Sequence, residues 1–295
     1  MKVSVVIPVY NGEKFINRAI YSVLNQSFKD LEIVVVDDCS TDKTAQIIFS
    51  EFKDHIGKSI FYYKNEQNME RSYSRNRGVE FSKGEFIFFL DYDDEWEKSY
   101  LEESIKYSDR YDIVYSFPRT FIDEKSEVVR ISKKRIPEDE GKILFSGQIG
   151  YPSASGFKRE VFLGYRDDII LREDWEIFIR SYLNGIRIKI IDNTKVKIRE
   201  HGSRTSRNLK MLFSTMKVYE DYIDNVPENY LGDFLFHIAE MNLRFGNLPS
   251  GWKILLKALK KEPSLLKNRR NLLSFIKRGA RLDRYISFIK KQLKV

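Results

Sequence analysis

The 295-residue chain has one cysteine and three histidines, and it has no apolar run of the length a bilayer requires. A lone thiol, Cys39, excludes an internal disulfide and fits a reducing compartment. His55 and His237 have no ligand-type neighbour at metal-binding spacing and read as structural. The N-terminus opens as a strand rather than with a basic and then apolar leader, so the expectation is a cytoplasmic protein, at most peripheral on the inner face of the cell membrane. Disorder is excluded as well, because 42% of the residues are hydrophobic and 32% charged, over a length that can bury a large core. Acid is scarce in one region only. Residues 251–295 hold 14 Lys+Arg against 2 Asp+Glu, a net of +12, so the overall +8 leaves −4 for residues 1–250.

What is present is organised around Phe86-Ile87-Phe88-Phe89-Leu90-Asp91-Tyr92-Asp93-Asp94, an apolar run ending in three carboxylates. Short, rich in β-formers and preceded by Gly84, it suits a strand buried on both faces of a parallel sheet, where ligands bind beyond the strands' carboxyl ends. Crowded acids repel unless a cation joins them, and a hard divalent ion held by one or two carboxylates plus substrate phosphates is the usual solution. The competing reading makes Asp93 and Asp94 N-caps of a helix around Trp96.

The rest of the chain supports a mostly parallel α/β domain. Val3, Val5, Val6, Ile7 and Val9 form a β-branched strand, Phe15 to Leu24 repeat at helical spacing, and residues 31–36 are a second strand, a βαβ opening. That second strand also ends in acid, Asp37-Asp38, so two strands bring carboxylates to one edge. A strand at 60–63, a helix carrying Arg71, Arg75 and Arg77, a helix at 99–107 and a strand at 112–117 follow. Residues 123–140 suggest a surface loop or short hairpin, and 149–157, rich in Gly, Ser, Ala and Pro, either a ligand-approaching backbone or an ordinary turn. Arg172-Glu173-Asp174-Trp175-Glu176 starts an amphipathic helix, and strands are expected at 186–191 and 195–199. Beyond about Ser206 only helical patterns remain. Trp252, Leu255, Leu256 and Leu259 are expected to share one face, and Leu282, Tyr285, Ile286, Ile289 and Leu293 another.

Taken together, Val5-Val6-Ile7-Pro8-Val9-Tyr10-Asn11, Val35-Val36-Asp37-Asp38-Cys39-Ser40-Thr41-Asp42-Lys43-Thr44, Ser74-Arg75-Asn76-Arg77-Gly78, Leu90-Asp91-Tyr92-Asp93-Asp94 and Glu173-Asp174-Trp175 resemble the motifs of the family 2 glycosyltransferases, in that family's order. The resemblance covers roughly residues 1–205 and implies a GT-A fold there, followed by a helical, basic region over 206–295. It implies an inverting transfer of a sugar from a nucleotide-sugar, UDP-linked by default, to a saccharide or lipid-linked acceptor, as in cell-surface polysaccharide or glycoconjugate synthesis, with Mn²⁺ or Mg²⁺ as cofactor. Position by position, Pro8, Tyr10, Asp38, Arg75, Asp91 and Tyr92 would bind the donor, with Arg75 near the nucleobase pocket. Asp93, Asp91 and His201 would serve the metal, and Asp174 would be the catalytic base. Cys39 stands where glycine is commoner, a departure that bears on turn geometry more than on chemistry. The chemistry agrees with the name: a leaving diphosphate needs a cation, and an attacking hydroxyl needs one positioned carboxylate.

Two alternatives are weighed. A sugar-phosphate nucleotidyltransferase needs a glycine-rich basic loop where Tyr10-Asn11-Gly12-Glu13 stands, and a nucleic-acid-binding protein would use the basic tail. The tail's mixture of apolar and basic residues instead predicts salt-sensitive association with anionic membranes, lost on truncation after Asn247; oligomerisation and acceptor binding are the other roles open to it.

Overall fold

A computed structural model describes residues 2–133, 136–200, 208–268, 271–274 and 276. These fall into two compact units, one drawn from Met1–Glu140 and Ile149–Arg204, the other from Gly141–Gln148 and Thr205–Val295.

The first unit alternates strand and helix as the periodicity predicts: β1 (Val3–Val9), α1 (Ile16–Leu24), β2 (Leu31–Asp37), α2 (Thr44–Glu51), β3 (Ile60–Lys64), α3 (Glu70–Phe81) and β4 (Phe86–Phe89). After β5 (Glu95–Trp96), α4 (Tyr100–Ile105), β6 (Ile113–Phe117), β7 (Thr120–Ile122) and β8 (Val128–Ile131), the chain passes through α5 (Glu140–Phe145), nearly all of it in the other unit, and the first unit resumes with β9 (Ser155–Lys158), α6 (Glu173–Leu183), β10 (Ile188–Asp192) and β11 (Val196–Arg199). Among the described residues a seven-stranded sheet runs β10-β6-β9-β4-β1-β2-β3. It is parallel except at β9, which pairs antiparallel with both β4 and β6. Every residue of β1 and β4 is buried, as strands covered on both faces require. The registers Val9 with Asp37 and Val6 with Phe89 set the carboxyl ends of β1, β2 and β4 along one edge.

β9 enters the middle of the sheet through a glycine. Gly156 pairs with Phe88 and Val114, and a Cβ there would come within 2.5 Å of the Phe88 ring. Gly78 does the same for helix packing, since a Cβ would meet a Val6 methyl at 2.3 Å where α3 crosses β1.

A second sheet, β5-β11-β7-β8, lies within the same unit. Its β7–β8 pair is a hairpin over part of the stretch expected to be a loop or hairpin. Asp93 and Asp94 cap no helix: β5 intervenes, and Ser99 is the N-cap residue of α4.

In the second unit, α7 (Leu209–Tyr222), α8 (Glu228–Phe245) and α9 (Leu248–Lys261) form the helical region. Gly246, at φ 88°, ends α8 in the left-handed conformation. The segment Gly141–Gln148 joins this unit, with Phe145 stacked on Tyr230 at 5.3 Å. Along α9 the buried stripe is Gly251, Ile254, Leu255 and Ala258. Trp252 and Leu256 are exposed, which corrects the expected grouping of Leu255 with them: a 3.6-residue repeat starting from Gly251 turns those two outward. The helix expected over 282–293 lies outside the described residues.

Candidate active site

The edge formed by β1, β2 and β4 carries most of the residues that the sequence marked. Pro8 is the penultimate residue of β1, and Tyr10 follows the strand's last residue, Val9, 44% exposed. The next turn is laced to the end of β2: the Asn11 amide donates to Ser40 Oγ (2.9 Å), Asn11 Oδ1 accepts from the Thr41 amide (2.9 Å), and the Gly12 amide donates to Thr44 Oγ1 (2.8 Å). Asn11 and Cys39 both take positive φ, 51° and 66°. Cys39 thus holds a left-handed conformation that glycine would adopt without strain, and its departure from the common residue does bear on the turn.

Asp37 and Asp38 are buried, and each accepts two hydrogen bonds. Asp37 accepts from the Ser40 amide (2.7 Å) and Tyr62 hydroxyl (2.5 Å), while Asp38 Oδ1 accepts from Asn65 Nδ2 (2.7 Å) and the Met69 amide (2.9 Å). Neither caps α2, whose first turn is held by Asp42 accepting from the Thr44 amide (3.0 Å). Burial and the Asp37 carboxylate push the Tyr62 hydroxyl well above its usual range.

Beyond β4 the three acids separate by environment. Asp94 is buried, accepting from Ser153 Oγ (2.6 Å) and the Arg199 amide (2.8 Å). Burial first, then the Asp93 and Asp91 charges, hold its carboxyl far above the ordinary carboxylate range. Asp91, part-exposed, bonds Arg75 Nη2 (2.8 Å), and its amide donates to Ser153 Oγ (2.9 Å). Asp93 is half-buried, and its main-chain oxygen accepts from Arg199 Nε (2.7 Å). The Tyr92 hydroxyl is pushed up to about 12 by burial and by Asp93 and Asp91, and its ring packs over Gly12, where a Cβ would approach it to 2.8 Å.

Arg75, expected near the nucleobase pocket, is engaged by two protein carboxylates. Its side chain is 1% exposed and bridges Asp91 to Glu173 Oε1, both at 2.8 Å. Glu173 and Asp174 open α6, a position the helix dipole favours for acids. Asp174 Oδ1 accepts from the Trp175 amide (2.7 Å). Burial and then the neighbouring Glu173 raise the Asp174 carboxyl to about 7, opposed by Arg172, the Trp175 N–H and Arg75. A Cβ on Gly150 would lie 3.8 Å from Asp174 Oδ2, so the glycine-bearing stretch passes beside that carboxylate. His201 lies outside the described residues.

Sequence reasoning missed three supports. Ser153 ties Asp91 to Asp94, Arg199 reaches the Asp93 and Asp94 region and pairs with Glu95, and Asn65 holds Asp38. The small polar residues of 149–157 hinted at the first; no local signal marks the others. Among the described residues no group of three His, Cys, Asp or Glu side chains forms a ready-made metal cage.

An edge that combines an acidic strand end, a helix-borne carboxylate of raised affinity for protons and buried acids at a neighbouring strand defines a GT-A transferase domain. Residues 4–165 match Glycosyl transferase family 2, and the chain belongs to that family. It is therefore a glycosyltransferase, and the nucleotidyltransferase alternative lapses. A glycosyltransferase of Methanocaldococcus jannaschii is 31% identical over 230 residues, 74% of this chain and 79% of the relative. The solved structure of Staphylococcus aureus TarS 1–349 in complex with UDP-GlcNAc superposes with a TM-score of 0.64 at 19% identity, over 88% of this chain and 81% of that one. In sequence, TarS, described as a poly(ribitol-phosphate) β-N-acetylglucosaminyltransferase, is 25% identical over 65% of this chain and 34% of its own. The mannosyltransferase PcManGT of Pyrobaculum calidifontis, solved with GDP-Man and Mn²⁺, gives a TM-score of 0.62 at 20% identity, over 88% of this chain and 75% of that one.

Proposed function

We propose that the chain transfers a sugar, with inversion, from a nucleotide-sugar bound along the β1–β2–β4 edge to a hydroxyl of a saccharide or lipid-linked acceptor in cell-surface polymer or glycoconjugate synthesis. The observation that carries this reading is the Arg75 bridge between Asp91, at the acidic end of β4, and Glu173, the residue before Asp174 at the start of α6. A UDP-linked donor is the starting assumption, supported by the likeness to TarS, although PcManGT is the precedent for a GDP-linked one.

In the reaction the acceptor oxygen bonds to the anomeric carbon as the bond from that carbon to the diphosphate oxygen breaks. The hydroxyl proton passes to an oxygen of Asp174, and the bonding pair leaves with the diphosphate. A single carboxylate serves because no sugar–enzyme bond is formed. Asp38 and Tyr10 would hold the nucleoside end.

A divalent cation suits the site. Asp91 and Asp93 offer hard oxygen donors side by side at the end of β4, and after burial their charges help hold the neighbouring Asp94 carboxyl up. Asp93, with Asp91, would hold Mn²⁺ or Mg²⁺; His201 was the third residue expected there. Bound there, the cation would supply Lewis-acid stabilisation of the charge on the departing diphosphate.

The test is a thermal-shift and transfer screen of nucleotide-sugars with Mn²⁺ or Mg²⁺. A cognate donor at a hundred times its Kd stabilises by about 2.7 kcal/mol, a Tm rise of several degrees for a domain of this size. No shift from any nucleotide-sugar and no sugar released from UDP- or GDP-linked donors would defeat the reading.

A membrane-side location is part of the same proposal. Among the described residues no helix is long and apolar enough to cross a bilayer, but α9 exposes Trp252 and Leu256 beside Lys253, Lys257 and Lys260. Anionic lipid attracts each nearby lysine by about 1 kcal/mol. Truncation after Asn247 would strip Ile254, Leu255 and Ala258 from the helical unit, so charge reversal in the full chain is the cleaner measurement. Lys253→Glu with Lys257→Glu is expected to cut sedimentation with anionic vesicles roughly tenfold or more at low salt. Equal partitioning of both proteins would leave the basic tail to oligomerisation or acceptor binding.

A further inference from the structure

We propose that Arg75 is a positioning residue for the transfer: by bridging Asp91 and Glu173 it fixes the start of α6, and Asp174 with it, against the acidic end of β4. The inference rests on the reading of Asp174 as the base.

Three observations carry it. First, both terminal nitrogens of Arg75 are taken by protein carboxylates at 2.8 Å and the side chain is 1% exposed, which leaves no face to bind a nucleobase. Second, α3 grips the neighbouring chain twice. Asn76 Nδ2 donates to the Tyr165 carbonyl (2.8 Å) while its Oδ1 accepts from the Tyr165 amide (2.7 Å), and the Tyr165 ring lies 5.3 Å from the Arg75 guanidinium carbon. Third, α6 begins from a constrained backbone. Arg172 takes φ 77°, a left-handed conformation that persists only where the surroundings over-determine it, and its guanidinium sits 4.4 Å from the Trp175 ring. The next residue is Glu173, held by Arg75, and the one after it is Asp174. A fork that bonds two carboxylates at once sets orientation as well as distance, which a lysine could not reproduce.

Arg75 also sets the charge balance around the base. The groups facing Asp174 are Glu173 and Arg172 beside it, Arg75 from α3, and the hydroxyls of Tyr165, Tyr151 and Tyr115. With Arg75 removed, Glu173 becomes a buried, unpaired carboxylate next to the base.

The experiment is a double-mutant cycle read by kcat, donor KM and the acid limb of the pH–rate profile. Arg75→Met is expected to lower kcat about tenfold or more and move the acid limb to higher pH. Glu173→Gln is expected to lower kcat, leave donor KM unchanged and move the limb to lower pH by ~0.5 unit or more. The double variant is expected to bring the limb back toward the wild type, because the residue acts through Glu173. A raised donor KM in Arg75→Met with kcat and limb unmoved would overturn the proposal in favour of direct donor contact. If Arg75→Met does not fold, Glu173→Gln decides, and an unmoved kcat and limb there overturns it. Retained turnover in Asp174→Asn would instead defeat the base assignment itself, so the two failures are separable.

Discussion

Replacing Asp174 by Asn is expected to lower turnover by a factor of about 10² to 10⁴ while donor affinity changes little. The amide keeps the shape and can still accept from the Trp175 N–H through its carbonyl oxygen, so the start of α6 is retained. What it loses is the capacity to take the acceptor proton. The same assignment fixes a pH dependence. The base works only when ionised, and its carboxyl sits at about 7 because burial and Glu173 disfavour the charge. Activity is therefore expected to rise with pH through an acid limb near 7 and to fall about tenfold per unit below it, whereas an unperturbed carboxylate would give a limb near 4. Loss of that limb in an otherwise active variant, or full turnover in Asp174→Asn, would move the base elsewhere, with Glu173 the next candidate.

Strands and carboxylates were legible where the signal is local. The β-branched and aromatic runs of β1, β2 and β4 suit interior strands, and the acids at the ends of two of them fell on one edge once the sheet was parallel. β9 was hidden because Ser155-Gly156-Phe157-Lys158 is short and weakly apolar: its place between β4 and β6 depends on Gly156 making room for Phe88, a pairing between distant residues. Segment 141–148 was hidden for a similar reason, since its partners in the helical unit lie some ninety residues further along the chain.

At the site, residue identities were legible and their partners were not. Asp38, Asp91, Asp93 and Asp174 were marked by motif, yet what each can do depends on Asn65, Arg75, Ser153 and Arg199, reached across long sequence separations. Arg75 shows this most clearly. Its motif placed it near the donor's base, while the structure buries it between two carboxylates, one at the end of β4 and one at the start of α6.

Asp93→Ala is expected to abolish transfer and the metal dependence of nucleotide binding while leaving the fold intact. The structural side follows from the environment of the acids. Arg199 reaches Asp93 through the main-chain oxygen, which alanine retains, and the lost carboxylate is one of the charges that penalise ionised Asp94. A cooperative thermal melt of the variant without metal is the check that the fold is retained. Asp94→Ala makes the contrast, because it leaves the Ser153 hydroxyl and the Arg199 amide without their acceptor and should cost about 1–3 kcal/mol of stability. Calorimetric titration of nucleotide with and without Mn²⁺, run beside thermal melts of both variants, separates the two roles. Unchanged turnover and an unchanged metal response in Asp93→Ala would defeat its assignment as the cation ligand, and a large drop in Tm would recast it as a structural acid.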